Sequence, residues 1–392
     1  ELRLKLFPYP QLDIRDPSVA IPTGVLARAS TLSAATRILP LLKGQLQLRE
    51  LILEAPWVDL PLADIAAATP VDGPAPSGVA LADRITSLVD LLISIAGNAR
   101  VTVRDGRVRL MDGRAVADTW QDVALTYMAT PAMMEVDLAA VSTAWGRLKA
   151  DLLIEPESLD MDGRIDLSET PLFRLAARLP PPIPLAVSEG TLHLDIRFSA
   201  RPLANAEAHL SAVIPNLHLR RNQQTLVFEG LTLQANVQRL DDGLTFELAS
   251  LRMDQPRLSF SGTARRTGDA GWALDLAARP LDIAPLRAMA LQWKGDLGPL
   301  DPLLDILEGG QIKELSARSS ASTLRELVAL DHIVASALVD SARVRIPATD
   351  LDVADISGRI DLDRNLLAAR VDAARPVSYT HLTLPTTIPS CG

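Results

Sequence analysis

Cysteine is almost missing from this 392-residue sequence, whose one thiol is Cys391. That excludes a disulfide framework and a thiolate metal site, and it leaves no thiol nucleophile in the body of the chain. So few thiols are compatible with an oxidising compartment such as a periplasm. Aromatic residues make up only 4% of the chain, which favours a wide aliphatic surface over stacking platforms. Trp57, Trp120, Trp145, Trp272 and Trp293 are scattered and read as core or rim anchors. Lysine and arginine never form a block of five and the net charge is −9, so no electrostatic footprint for nucleic acid is present. No apolar run reaches the roughly 18 to 20 residues of a membrane-spanning helix. The longest candidate, 88–97, is interrupted by Asp90. Phosphate-loop, dinucleotide-binding and nucleophile-elbow motifs are absent, as is HExxH.

What the chain does have is alternation. It is 48% apolar and 22% charged, a composition for folded rather than disordered structure. The apolar positions recur with period two, the mark of strands with one buried face. In residues 191–200, Leu192, Leu194, Ile196, Phe198 and Ala200 point one way, and Thr191, His193, Asp195, Arg197 and Ser199 the other. The same pattern runs through Val101/Val103, Val108/Leu110, Leu231/Leu233/Ala235/Val237, Leu244/Phe246/Leu248, Ile360/Leu362 and Leu367/Ala369/Val371. Asp-Gly pairs at 105–106, 112–113, 162–163 and 242–243 predict tight hairpins, because both central residues tolerate positive φ. The expectation is a mainly β chain, a meander of antiparallel neighbours and not a βαβ fold.

A second recurring element is strand–Pro–strand. Residues 51–60 (LILEAPWVDL) and 251–260 (LRMDQPRLSF) align, with looser versions at 153–161 and 344–351. Proline cannot donate to a ladder, so it suits a corner or edge. This reads as a degenerate repeat of roughly 40 to 50 residues. Helical spacing is confined to 81–95 and to shorter stretches at 171–179, 283–291, 297–307 and 323–330, with 331–338 as an extension or the next strand. Residues 61–78 and 180–184 read as a linker and a break. His193, His209 and His218 occupy polar strand positions, and neither they nor His332 have metal-ligand spacing. Asp160/Asp162 and Asp350/Asp352/Asp355 lack the grammar of a calcium loop and read as solvated strand faces. The serines of 316–323 read as a loop or helix cap. No catalytic residue, metal site or cofactor is expected.

Glu1 already sits in an alternating run with Leu2, Leu4 and Leu6, so a signal or anchor is expected upstream of it. At the other end, Pro376 to Thr386 (PVSYTHLTLPT) resembles an in-frame translation of a sequencing adaptor. No Asp, Glu, Lys or Arg occurs from Pro376 to Gly392, and 376–392 are set aside as a non-native tail.

The first sixty residues carry a resemblance. A strand, Phe7-Pro8-Tyr9-Pro10, a strand through Leu12 and Ile14, Thr31 to Thr36, Leu39-Pro40-Leu41-Leu42-Lys43-Gly44 and Leu46 to Leu60 follow in that order. This resembles the N-terminal region of AsmA-like bacterial envelope proteins. Residues 342–371, with Pro347, Leu351, Val353, Ser357-Gly358, Ile360 and Leu362, resemble later segments of that family. The middle matches in style only.

The resemblance implies an elongated, twisted antiparallel sheet curled into a groove (a β-trough), in a periplasmic protein anchored to the inner membrane by a helix this sequence lacks. It implies a phospholipid or other acyl lipid as ligand, carried between membranes, with envelope proteins as further partners. Four parts are expected: an N-terminal β segment at 1–60, a linker and amphipathic helix at 61–97, the β-groove region at 98–375, and the tail. The expected groove residues are Leu192, Leu194, Ile196, Phe198, Leu231, Leu233, Val237, Leu244, Phe246, Leu248, Ile360 and Leu362. The alternatives are a scaffold for outer-membrane protein assembly and, third, a glycan hydrolase on a β-solenoid.

Overall fold

The computed structural model describes residues 1–5, 9–20, 26–45, 47–61, 98–113, 115–176, 186–201, 205–221, 224–240, 243–267, 271–278, 280–291, 301–323, 326–346, 351–364 and 366–376. The helix expected at 81–95, most of the linker, the break at 180–184 and residues 377–392 of the tail lie outside them. The chain is mainly β, an open, curled antiparallel sheet with a few short helices. It divides into two compact units, Glu1–Ala249 and Ser250–Gly392.

In the first unit β1 (Leu2–Lys5) pairs with β2 (Gln11–Arg15), β2 with β5 (Thr31–Thr36), and β5 with β6 (Leu48–Glu54). The short strands β3 (Ser18–Ala20) and β4 (Leu26–Arg28) pair with each other, and β4 pairs with β7 (Trp57–Pro61). The long strand β8 (Arg100–Asp112) lies parallel to both β6 and β7. This corrects the expectation of a pure meander. Parallel neighbours cannot be joined by a tight turn, and β8 sets out from the same end of the sheet as β6, with Arg100 beside Glu50. From there the meander holds. β9 (Ala115–Ala129), β10 (Met134–Ser142), β11 (Gly146–Glu155), β12 (Asp160–Pro171), β13 (Ala186–Ala200), β14 (Ala206–Arg221) and β15 (Gln224–Leu240) are antiparallel neighbours in chain order. β16 (Gly243–Met253) follows.

The second unit pairs β17 (Leu258–Thr267) with β18 (Trp272–Ala278). Both β18 and β19 (Leu281–Asp282) pair with β20 (Leu307–Ala321), which is followed by β21 (Ile333–Ile346), β22 (Leu351–Asp363) and β23 (Leu366–Pro376). Helices are short: α1 (Ile38–Leu42), α2 (Leu172–Ala176), α3 (Ile283–Ala290) and α4 (Asp301–Ile306). The last three fall within expected stretches, and α1 was not foreseen. The helix expected at 323–330 is represented by 3₁₀ turns at Glu326–Val328 and Leu330–His332. There Thr323 Oγ1 accepts from Glu326 N (3.3 Å) and the Glu326 carboxylate accepts from Ser322 N (3.2 Å), a reciprocal cap. Ser316 to Ala321, expected as loop, belongs to β20.

A strand's side chains alternate strictly, so a change in the parity of its apolar positions requires an extra residue. In β8 the apolar face passes from Val101 and Val103 to Gly106, Val108 and Leu110. Asp105, at φ +53°, is the extra residue, and the register with β9 shifts there. The Asp105-Gly106 pair expected to close a hairpin is therefore a bulge inside one strand. Both structures draw on the tolerance of Asp for positive φ. Ala55 (φ +47°), before Pro56, makes the matching change where Leu51/Leu53 of β6 give way to Val58/Leu60 of β7. Asp122 (φ +51°) does so in β9 and Glu169 (φ +59°) in β12. Gly190 marks it in β13, and Pro215 lies across from Gly230 (φ +65°) between β14 and β15. In the second unit Gly310, Ser341 and Asp355 hold positive φ in β20, β21 and β22. The β6/β7 junction, β8 and β9 change parity side by side, as do β14 and β15, whereas β10 keeps its phase and takes up the change as a register shift against β9, so the apolar side chains stay on one face while the sheet bends.

Asp162-Gly163 is not a turn; it lies inside β12, and the hairpin closes earlier, with Leu159 at φ +58°. Gly163 faces Phe198, whose ring occupies the space a Cβ would need. The prolines of the strand–Pro–strand pattern also play different parts. Pro56 marks a kink between two strands, Pro156 lies in the β11–β12 turn and Pro256 between β16 and β17. Pro347 lies outside the described residues. Asp112-Gly113 does close β8 onto β9, and Asp242 lies outside.

Two clusters of buried side chains form among the described residues. Tyr127, Ala129, Met134 and Ile154 form one cluster, packed against Val101, Val136, Leu152 and Met161. In the second unit Ile283 at the start of α3 packs with Val339 and Ala342, flanked by Ile312, Ile356 and Ile360. The Phe198 contact makes a direct test: Gly163→Val should cost about 1–3 kcal/mol by urea unfolding, and less in a Phe198→Leu background. Equal losses in both backgrounds would remove the ring as the cause.

Candidate functional site

Direct cross-strand partners share a face, so the register fixes which side chains lie side by side. One row runs Leu2, Ile14, Leu32, Leu53, Val103, Leu125, Leu138, Ala150, Ile165, Ile196, Leu210, Ala235. A second, two residues along each strand, runs Leu4, Leu12, Ala34, Leu51, Val101, Tyr127, Val136, Leu152, Gly163, Phe198, Ala208, Val237. Neither row meets a charge from β1 to β15. The row between them faces the other way. It reads Arg3, Asp13, Ser33, Ile52, Thr102, Thr126, Asp137, Asp151, Arg164, Arg197, His209, Asn236, polar everywhere except Ile52.

The expected groove residues fall on this plan unevenly. Ile196, Phe198 and Val237 lie in the two rows, and Leu194 and Leu233 in a third that continues through Leu148 and Leu167. Leu231 pairs with Ile214 beside the bend. Leu192 is buried and partners Thr170. Leu244, Phe246 and Leu248 are half-buried on β16. Ile360 and Leu362 belong to the second unit, where Ile360 packs against the cluster under α3 and Leu362 is buried. There the chain's own helix covers part of the apolar face. The rows are most open at β1 and β2, where Leu2 and Leu4 are 69% and 67% exposed.

Beyond the bend, the apolar face of the first unit holds a depression of about 240 Å³ lined by Trp120, Ala140, Ser142, Trp145, Leu148, Ile165 and Leu167. A buried carboxylate sits beside it. Asp118 is 4% exposed and accepts from Ser142 Oγ (2.8 and 2.9 Å), Trp120 Nε1 (3.1 Å) and Thr119 N (2.9 Å). Ser142 Oγ in turn accepts from Ala144 N at 2.9 Å. These bonds tie β9 to the β10–β11 turn, which explains a charge on an apolar face. The pattern contained the clue: Asp118 falls in phase with Trp120. Tyr127 is also buried on this face, its hydroxyl without a hydrogen-bond partner, and burial pushes the phenol pKa up.

The polar face holds a larger, charged depression of about 650 Å³ whose lining includes Glu135, Asp137, Asp151, Arg164, Arg197 and His209. Arg164 and Arg197 oppose each other directly and are held by Asp195 between them, at 2.6 and 3.2 Å. Asp162 pairs with Arg201.

No protein-family model matches the chain, and no curated protein matches it.

The histidines keep to polar surroundings. His218 Nδ1 lies 2.9 Å from Glu189, His209 shares a hydrogen bond with Asn236, His193 is exposed, and His332 lies beside the Ser320 carbonyl. Asp355 sits 3.5 Å from Arg375. Asp352, expected as solvated, is half-buried, with Oδ1 enclosed at 3.9 Å from Arg345. Asp350 lies outside the described residues.

In the polar row, Asp13 gathers Lys5 Nζ (2.8 Å), Ser33 Oγ (2.8 Å) and Gln11 Nε2 (2.6 Å). Lys5 above all, then Ser33 and Gln11, hold its pKa down from 3.8 to about 2. A depressed carboxylate stabilises the fold above its unfolded pKa and loses that contribution as pH falls through the folded value. Asp13→Asn should therefore flatten the stability loss between about pH 4 and 2 in acid-unfolding curves. Ser142→Ala leaves Asp118 short of a donor and should cost about 1–3 kcal/mol by urea unfolding.

Proposed function

We propose that the chain is a lipid-handling protein of the Gram-negative envelope, whose first-unit apolar face holds phospholipid acyl chains during transfer between membranes. The AsmA resemblance supplies the setting: a periplasmic location, anchored to the inner membrane. The observation that carries the reading is the pair of rows that cross β1 to β15 without a charge. Twelve strands at roughly 4.8 Å spacing give a path of about 50 Å, longer than one acyl chain. Each methylene moved from water onto such a surface is favoured by about 0.8 kcal/mol. Because the surface is aliphatic and repetitive, a chain shifted by one strand meets the same chemistry, which suits sliding over fixed binding. Transfer of this kind requires no nucleophile, metal or cofactor, and none is assigned.

Photo-crosslinking residues placed at Leu12, Val103 and Val237 should yield lipid adducts by mass spectrometry when the protein is expressed in a Gram-negative host. The same residues placed at Ser33, Thr102 and Asn236, in the polar row, should not. Adducts on both faces alike, or on neither, would refute the reading.

A further inference from the structure

On the opposite face of the same sheet, we infer an anion site between β4, β7 and β8 that takes a phosphate group. The class covers a phospholipid headgroup at a membrane surface and free phosphate.

Arg28, Trp57 and Arg107 are direct cross-strand neighbours on β4, β7 and β8, and Asp59 and Arg109 form the next pair along. The Arg107 and Arg109 guanidiniums lie 5.3 and 4.6 Å from the centre of the Trp57 ring. Stacking on an aromatic plane leaves the in-plane N–H groups of a guanidinium free to donate. Asp59 takes the Nε–Nη2 edge of Arg109, so the donors left for a ligand are those of Arg28, Arg107 and the remaining Nη1 of Arg109. Its two oxygens accept from Arg109 Nε (2.7 Å), Arg109 Nη2 (2.6 Å) and Trp57 Nε1 (2.9 Å). Those bonds to Arg109 are also the chief reason its pKa is lowered, with Arg28 adding a smaller electrostatic contribution. Neither Arg28 nor Arg107 forms an ion pair among the described residues.

The balance is three guanidiniums against one carboxylate, 3 − 1 = +2, in a chain whose net charge is −9. Cations gathered this closely repel one another unless an anion joins them. The space for one is present. A depression of about 350 Å³ opens beside the indole, bounded by Arg28, Arg109, Trp57 and Asp59, with Ala29 and Ala55 adding little bulk. Ala55 is the bend residue between β6 and β7, so the bend that turns the sheet also shapes this recess. Forked guanidinium donors match the tetrahedral oxygens of phosphate better than a point-charge ammonium would. Trp57, 38% exposed, is a residue type at home at a membrane–water boundary.

Trp57 also reports on the site. With the full chain, inorganic phosphate should change tryptophan emission at constant ionic strength, where chloride does not. Trp57→Phe and Arg28→Gln/Arg107→Gln should abolish the change while far-ultraviolet circular dichroism stays unaltered. In sedimentation with vesicles, the wild type should bind phosphatidylcholine vesicles containing phosphatidylglycerol more strongly than phosphatidylcholine alone. Each arginine removed should weaken that preference about fivefold, or ~1 kcal/mol. A phosphate response together with this preference assigns the site to a headgroup, and a phosphate response alone to soluble phosphate; both uphold an anion site. No phosphate response, with variants that sediment like the wild type, overturns it. Crosslinking at Leu12 and Val103 is independent of these arginines and separates this outcome from failure of the acyl-chain reading.

Discussion

Strict alternation along a strand is the constraint on which the rest depends. In a sheet whose two faces differ, a slip of one residue in any strand exchanges its oily side for its wet side. Twelve consecutive neighbours keep the same phase through the first unit, including across the parallel junction at β6–β8. Where the phase changes, it does so in concert, through Ala55, Asp105 and Asp122 in adjacent strands. The bend is thus a collective property. Bulges side by side in β8 and β9 fold the sheet and leave the rows continuous, and where β9 alone gains a residue against β10 the register shifts by one to keep the faces matched.

The same constraint explains how a charge comes to lie on the apolar side. Past the bend, β9 presents Trp120 and Asp118 where a simple continuation would present leucines. The carboxylate persists because Ser142, Trp120 and a backbone amide satisfy it. Its role is to fix the β10–β11 turn against β9. At the opposite surface of the bend the backbone turns away, and Arg28, Trp57 and Arg109 are left around a recess. Bending the sheet yields two different chemical environments from one geometric device.

Much of this was legible in the amino-acid pattern, for a definite reason. The alternation of residues 192–200 is local, and it fixed the strand and both of its faces. The spacing around Ile283 to Ala290 likewise marked a helix. What escaped was everything that depends on a neighbour. Asp105-Gly106 and Asp162-Gly163 carry the same dipeptide, yet one is a bulge because β6/β7 and β9 shift beside it. The other is plain strand because the Phe198 ring needs the room. The parallel pairing of β6 and β7 with β8 leaves no local trace. Ile360 alternates as cleanly as Ile196, but only the tertiary structure shows α3 packed near one of them. The change of parity between Val103 and Val108 was visible all along; it was read as a gap between strands and not as a bulge within one.

From β8 to β15 the strands pair antiparallel in chain order, and among the described residues only the β12–β13 connection carries a helix, α2. Lengthening such a sheet therefore takes a pair of strands of matching phase and no new core. Evolution can set the span of the molecule in increments of one hairpin, leaving both surfaces chemically unchanged, much as a zipper is extended by adding teeth.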